Sequence, residues 1–146
     1  MRYLLMTIAS TLFFTSNIWE TDFNKAQQSA QTEHKYILLN FSGSDWCGPC
    51  IKLHKEIFET EAFDQYAKEN LILVKADFPR LKKNQLTKDQ QTKNDQLAEQ
   101  YNKEGKFPFT LLLAPDCKIL KSWDGFPHLS PDAFVNEVKA GINANN

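Results

Sequence analysis

Hydrophobic residues in this chain are concentrated in short continuous runs, and more polar stretches with helical spacing separate them. Three runs of strand length, 36–41, 71–76 and 109–113, predict buried strands. The second run is almost uninterrupted, which predicts a central strand buried on both faces. A weaker run at 119–123 predicts a fourth strand after a turn. Because helical patterns alternate with these strands, the pattern predicts an α/β fold.

The segments between the strands predict helices. Asp22 predicts the start of the first one, since its side chain can accept hydrogen bonds from free backbone N–H groups. The helix after the first strand is predicted to bury Ile51, Ile57 and Phe58. Pro131 predicts the first turn of the last helix. Further helices are expected at 60 to about 69 and at 131–142, and 87–101 is expected to be a highly solvated helix or loop.

Residues 1–18 differ in composition from the rest of the chain. Arg2 is their only charged residue, and an apolar run of about a dozen residues follows it, which is typical of a secretory signal peptide. The run is shorter than the ~20 residues of a spanning helix. Residues 15–17 are small and polar without an A-x-A pattern, so an uncleaved N-terminal anchor is the alternative. We therefore predict a signal peptide or anchor at 1–18 and a periplasmic or secreted domain at 19–146.

Composition and charge limit the number of domains and the kinds of partner that the chain can have. The chain has 146 residues, of which 42% are hydrophobic and 24% charged, with a formal net charge of −1. These values fit one globular domain with its own core. The near-zero net charge argues against nucleic acid as a partner. The basic residues between 80 and 93 are interrupted by Gln, Asn and Asp, which favours a solvated helix face.

The candidate chemistry lies between the first strand and the following helix. Cys47 and Cys50 are three residues apart, which places their Cα atoms within the roughly 4.4–6.8 Å that a disulfide requires. Cys47 precedes free N–H groups and the positive end of the helix dipole, which favour an anion. The thiolate is the nucleophilic form of cysteine. The spacing therefore predicts thiol–disulfide exchange with Cys47 as the attacking group.

The segment Trp46-Cys47-Gly48-Pro49-Cys50 resembles the active site of the thioredoxin family, and Gly105-Lys106-Phe107-Pro108 resembles the family's cis-proline loop. The order of elements resembles that family from about 21 to 142. The resemblance implies a thioredoxin-like fold, a central mixed β-sheet flanked by helices in three layers. Residues 41–47 and 77–80 are similar to those of extracytoplasmic bacterial members. Asn40 or Phe41 stands where cytosolic thioredoxins have a buried Asp, so the proton of Cys50 needs another route.

The resemblance also implies roles for these residues. Cys47 and Cys50 are expected to be catalytic, with Cys50 deeper and less exposed. The expected supporting residues are Trp46, Gly48, Pro49, Phe107 and Pro108. An exposed Phe107 is expected to pair through its backbone with an extended segment of a disulfide-containing protein substrate. The Gly-Pro pair resembles reducing members, so we expect a reductase supplied by a membrane-bound electron donor, without metal or other cofactor.

Two alternatives remain open at this point. The protein could act as a disulfide oxidant or isomerase, or it could be a non-enzymatic module. Such a module would bind a metal through Cys47, Cys50 and His54, or a partner through the Phe107 surface. Cys117 is left over and is expected in an exposed turn away from the active site, as an incidental thiol or a redox-sensitive one.

Overall fold

The computed structural model describes residues 18–145, so of the predicted N-terminal segment all but Ile18 lies outside the described residues. The described chain contains a four-stranded sheet and five α-helices. In chain order they are α1 (Phe23–Glu33), β1 (Tyr36–Ser42), α2 (Gly48–Leu53), α3 (Glu61–Asn70), β2 (Leu71–Asp77), α4 (Lys88–Tyr101), β3 (Phe109–Leu113), β4 (Ile119–Asp124) and α5 (Pro131–Asn143). A π-helical turn, His54–Phe58, extends α2, and a short 3₁₀ helix, Lys82–Asn84, precedes α4.

The strands of the sheet lie in the order β2-β1-β3-β4. Strand β1 is parallel to β2 and antiparallel to β3, and β4 is antiparallel to β3. The predicted central position of 71–76 is therefore wrong, because β2 is the outermost of these strands. Its apolar composition has another cause: α1 and α3 both contact it. Its outer side is partly covered by Glu20, whose N–H donates to the carbonyl of Leu73 at 2.8 Å.

Side chains of β1 alternate between the two faces of the sheet and so form two cores. Ile37 and Leu39 pack with Ala26 and Ala30 of α1, whereas Leu38 packs in the core that α3 and α5 cover. Each fully buried Ile or Leu contributes roughly 1.5–3 kcal/mol. Helices on both sides of a mixed sheet confirm the predicted three-layer thioredoxin-like fold.

Local sequence signals determine where helices begin. The Asp22 carboxylate accepts from the backbone N–H groups of Asn24 (3.0 Å) and Lys25 (3.3 Å), as predicted. The Ser130 hydroxyl accepts from the N–H of Ala133 at 3.2 Å, and Pro131 occupies the first turn of α5. These caps satisfy N–H groups that have no partner within their own helix.

The helix after β1 departs from its predicted pattern. Ile51 is 48% exposed, so its predicted burial is wrong, whereas Ile57 and Phe58 are buried as predicted. Cys50 and Leu53 face the sheet, and Ile51 is rotated about 100° from Cys50 towards solvent. The π-helical turn then shifts the register, with the N–H of Glu59 donating to the carbonyl of His54 at 2.9 Å.

None of the helices in residues 18–145 combines the length and the apolar run needed to cross a bilayer.

Candidate active site

The two predicted reactive cysteines lie where β1 passes into α2. Cys47 is the N-cap residue of α2, and it forms a disulfide with Cys50 across a Cα–Cα distance of 5.2 Å. The backbone N–H of Cys50 donates to the Cys47 sulfur at 3.3 Å, and the N–H of Gly43 donates to the Cys50 sulfur at 3.5 Å. Each sulfur therefore receives a backbone hydrogen bond within the site itself.

The two cysteines differ in surroundings more than in exposure. Cys47 is 5% exposed and Cys50 is 3% exposed, so the predicted difference in burial is small. Cys47 adjoins Gly48 and Pro49, which are both exposed. Cys50 instead lines a cavity on the inner side of α2. The exposed Gly48 and Pro49 therefore offer a reacting partner a route to the disulfide.

The loop before β3 approaches the disulfide through aromatic contacts. The Phe107–Pro108 peptide bond is cis, which confirms the expectation from the resemblance. The ring of Phe107 lies 5.5 Å from that of Trp46 and 5.4 Å from that of Phe78, as measured between centroids. Phe107 is consequently half-buried and not exposed as predicted. Trp46, Phe78 and Phe107 form one aromatic cluster beside Cys47.

Trp46 is held in place by a hydrogen bond and by a close contact with the backbone of its own loop. Its indole N–H donates to the carbonyl of Phe78 at 2.7 Å. A Cβ added at Gly43 would overlap the Trp46 ring, so this close approach requires glycine at position 43. The next residue, Ser44, donates its backbone N–H to the Asp77 carboxylate at 2.9 Å. The loop before the cysteines is thus attached to the end of β2 at two points.

Asp45 attaches the same loop at a third point. Its carboxylate accepts from the backbone N–H groups of Arg80 (2.9 Å) and Leu81 (3.0 Å) and from the Asn84 side-chain amide (3.0 Å). These hydrogen bonds, the one from Arg80 foremost, hold the pKa of Asp45 below its usual range. Sequence reasoning missed this function, although an Asp can cap any loop that presents free N–H groups.

A cavity of about 220 Å³ lies behind Cys50. His54 lines this cavity. Its Nε2 lies 3.5 Å from a carboxylate oxygen of Glu59, and the centroid of its ring lies 5.8 Å from that of the Trp19 ring. Burial, and then the charge of Lys75, lowers the pKa of His54. The lining residues are Ser42, Ser44, Cys50, Ile51, His54, Lys55, Glu59 and Lys75.

Asn40, one of the two residues expected where cytosolic thioredoxins have a buried Asp, lies on β1. It is 4% exposed, and its side-chain amide donates to the Thr110 hydroxyl at 3.0 Å. A side-chain amide does not take up a proton near neutral pH, so Asn40 cannot accept the proton of Cys50. The titratable groups near Cys50 are instead those of the cavity.

Within residues 18–145, His, Cys, Asp and Glu side chains nowhere form a group of three or more that could hold a metal ion. Cys47, Cys50 and His54 do not form such a group, because the two sulfurs are bonded to each other and His54 lies against Glu59.

Cys117 lies at the opposite end of the sheet from the disulfide. It is in the turn after Leu113, which pairs with Ile37 at the start of β1. Its backbone has a φ of +69°. The side chain is half-buried rather than exposed as predicted, and it packs near Tyr101. Burial raises the pKa of the Cys117 thiol.

Known proteins share this fold. A family model described as thioredoxin-like matches residues 18–115. The disulfide bond reductase DsbH of Chlamydia pneumoniae is 35% identical over 124 residues, which cover 85% of this chain and 72% of that protein.

Two further comparisons extend this result. The thioredoxin-related protein DsbJ of Chlamydia pneumoniae is 33% identical over 63 residues, 43% of this chain and 18% of that protein. A solved structure of a DsbH oxidoreductase matches with a TM-score of 0.81 and 30% identity, covering 97% of this chain and 95% of that one. The chain belongs to the thioredoxin-like family.

Proposed function

We propose that this protein is an extracytoplasmic thiol–disulfide oxidoreductase that reduces disulfides of other proteins. The observation that carries the proposal is the Cys47–Cys50 disulfide at the start of α2, with the Cys50 N–H directed at the Cys47 sulfur. A hydrogen bond to a sulfur stabilises its thiolate, which is the attacking form. The similarity to a protein named a disulfide bond reductase supports the direction of the reaction.

The proposed cycle begins with the reduced dithiol. The Cys47 thiolate attacks one sulfur of a substrate disulfide, and the other substrate sulfur leaves as a thiolate and takes a proton. The Cys50 thiolate then attacks the Cys47 sulfur, re-forms the Cys47–Cys50 disulfide and releases the second substrate thiol. Two electrons have passed to the substrate, and an upstream dithiol must return them. Trp46, Gly48 and Pro49 shape the approach to Cys47, while the backbone of Phe107, before Pro108, can pair with the substrate segment.

Cys50 must lose a proton before it attacks. We infer that this proton leaves through the cavity behind it, since Cys50 faces His54, Lys75 and Glu59 there. A neutral His54, favoured by its lowered pKa, can accept a proton, whereas Asn40 cannot. This route replaces the one that a buried Asp provides in cytosolic thioredoxins.

Residues 1–18 have the composition of a signal peptide or N-terminal anchor, which supports a periplasmic or secreted location. In that setting the electrons would come from a membrane-bound donor, because cytosolic reductants do not reach it. The proposed reaction uses only the two cysteines and requires neither a metal nor an organic cofactor.

The reduction potential of the Cys47–Cys50 pair tests the direction. The domain 19–146 carrying Cys117→Ser would be equilibrated in glutathione buffers, so that only one redox pair responds. We expect a potential near or below about −250 mV, towards the roughly −270 mV of thioredoxin. A potential of about −120 to −180 mV would mean an oxidant or isomerase and would overturn the proposed direction. The unsubstituted domain is the control for an effect of the Cys117 substitution.

A further inference from the structure

Arg80 has no role in the reaction as described, yet it lies at the edge of the active site. Its guanidinium carbon is 3.7 Å from the centroid of the Trp46 ring, which is the stacked geometry of a cation–π contact. Trp46 immediately precedes Cys47, and its ring also contacts Phe107. Arg80, Trp46 and Phe107 therefore form a continuous surface along one side of the disulfide.

The position of Arg80 is fixed by the backbone. The Asp45 carboxylate accepts from the N–H of Arg80 itself and from that of Leu81, and the Trp46 indole binds the carbonyl of Phe78. A flexible surface arginine would lose much side-chain entropy on binding a partner. An arginine already stacked on an indole and anchored at its own N–H loses less.

The charge of Arg80 is available to a partner. Arg80 is exposed, and within residues 18–145 no carboxylate forms an ion pair with its guanidinium. The Asp45 carboxylate, which accepts from the backbone N–H of Arg80, is occupied by N–H groups of the same segment. Lys82 and Lys83 follow in the exposed 3₁₀ helix, so positive charge continues outwards from Arg80.

We propose that Arg80 is a specificity-determining residue that selects protein segments with an acidic side chain next to the disulfide to be reduced. The proposal rests on the proposed function, since it names the class of substrate for the same site. A carboxylate on a segment lying across Trp46 and Phe107 can form a bidentate pair with the guanidinium, whose other face remains stacked on Trp46. Lys82 and Lys83 add long-range attraction for the same charge.

The test uses three synthetic peptides, each with one intramolecular disulfide flanked on both sides by Glu, Gln or Lys. The domain 19–146 is reduced beforehand, and kcat/KM is measured for each peptide with a chemical dithiol as electron donor. We expect the wild-type protein to prefer the Glu peptide over the Lys peptide by about tenfold at low salt. The preference should shrink to about twofold at 0.5 M salt, where charges are strongly screened.

Two variants distinguish the effect of the Arg80 charge from the effect of Arg80 packing against the Trp46 ring. In Arg80→Gln most of the preference for the Glu peptide over the Lys peptide should be lost, and only the long-range contribution of Lys82 and Lys83 should remain. Arg80→Lys should keep part of the preference, because it retains the charge but cannot form the bidentate pair. Lys118→Gln is the matched control, because it removes the same charge from the exposed turn at the other end of the sheet and should leave the ratio unchanged. An equal loss on all three peptides in Arg80→Gln would show that Arg80 only supports Trp46 and would overturn the proposal.

A wild-type ratio near one would also overturn the proposal while leaving the proposed function intact. Failure of the wild-type protein to reduce even the Gln peptide would instead count against the proposed function. The two failures are therefore distinguishable in the same experiment.

Discussion

The two ends of the sheet both carry cysteine, and they differ in how the surrounding chain is held. At the disulfide end, the loop 43–47 is attached to residues more than thirty positions away, through the Trp46 indole, Ser44 and Asp45. At the other end, the Cys117 turn is closed mainly by local hydrogen bonds, such as that from the N–H of Cys117 to the carbonyl of Ala114 at 2.8 Å. Its long-range hydrogen bond, from the exposed Gln31 side-chain amide to the carbonyl of Pro115, is longer, at 3.4 Å. Long-range attachment holds groups in a defined geometry, whereas a local turn only reverses the chain.

The most direct test of the difference between the two ends of the sheet is to remove each thiol separately. Cys47→Ser should lower disulfide reduction by at least about 1000-fold, because a serine hydroxyl does not form the nucleophilic anion near neutral pH. Cys117→Ser should retain activity within about twofold, since Cys117 lies at the opposite end and burial raises the pKa of its thiol. Turnover of a peptide disulfide with a chemical dithiol as electron donor measures both.

Cys50→Ser provides the mechanistic control for this experiment. Without the resolving thiol, the first attack still occurs, and a mixed disulfide between Cys47 and the substrate should accumulate in non-reducing gels. Activity that survives without Cys47, or that disappears with Cys117, would contradict the assignment of the reactive pair.

The sequence signals that proved reliable are local ones. The Asp22 and Ser130 caps depend on residues within three positions, and the predicted start of each helix is confirmed. The Cys47–Cys50 pairing likewise needs only four consecutive residues and a helix start. Such features are predictable because their physical partners are also neighbours in the chain.

Apart from the local facing of Ile51 on α2, the errors concern interactions between distant segments. The apolar run in β2 indicates that both faces of the strand are buried, but it does not indicate the position of the strand in the sheet. Helices α1 and α3 cover these faces even though β2 lies at the edge. The attachment of Asp45 to Arg80 spans 35 positions and leaves no periodic pattern. The half-burial of Phe107 also depends on Phe78 of the same distant loop. These contacts are set by the packing of the fold and could not be predicted from composition or spacing.

A smaller effect is expected from crowding the loop at the disulfide end. In Gly43→Ala the new methyl group meets the Trp46 ring, so the indole must move and its hydrogen bond to Phe78 weakens. We expect the free energy of unfolding to fall by about 1–3 kcal/mol, the usual cost of overpacking. Urea unfolding of the oxidised protein measures this change.

The matched control for that experiment is Gly48→Ala. No atom lies within 4 Å of a Cβ added at Gly48, so its free energy of unfolding should change by less than about 1 kcal/mol. Equal destabilisation by both substitutions would mean that the close approach of Trp46 to Gly43 does not constrain the loop.

The smallest expected effect concerns pH, and it again distinguishes the disulfide end. Burial, and then the charge of Lys75, lowers the pKa of His54 in the folded protein, while Glu59 opposes the shift. Lys55 and the Cys50 sulfur also face the same cavity. As pH falls below the unfolded-state value of about 6.5, the unfolded chain binds the proton first. The stabilising effect of neutral His54 is therefore fully present above that pH and is lost as pH falls towards the folded-state pKa.

Urea unfolding of the oxidised protein between pH 8 and 5 isolates this contribution, because the disulfide does not titrate. A single proton limits the slope due to His54 to about 1.4 kcal/mol per pH unit. His54→Gln should be less dependent on pH than the wild type in this window, and Lys75→Gln should lie between the two because it removes only one cause of the shift. The lowered pKa of Asp45 gives a separate loss of stability below about pH 4. Parallel curves for wild type and His54→Gln would show that the cavity behind Cys50 solvates an imidazolium as well as water does, and would contradict the lowered pKa of His54 in the folded protein.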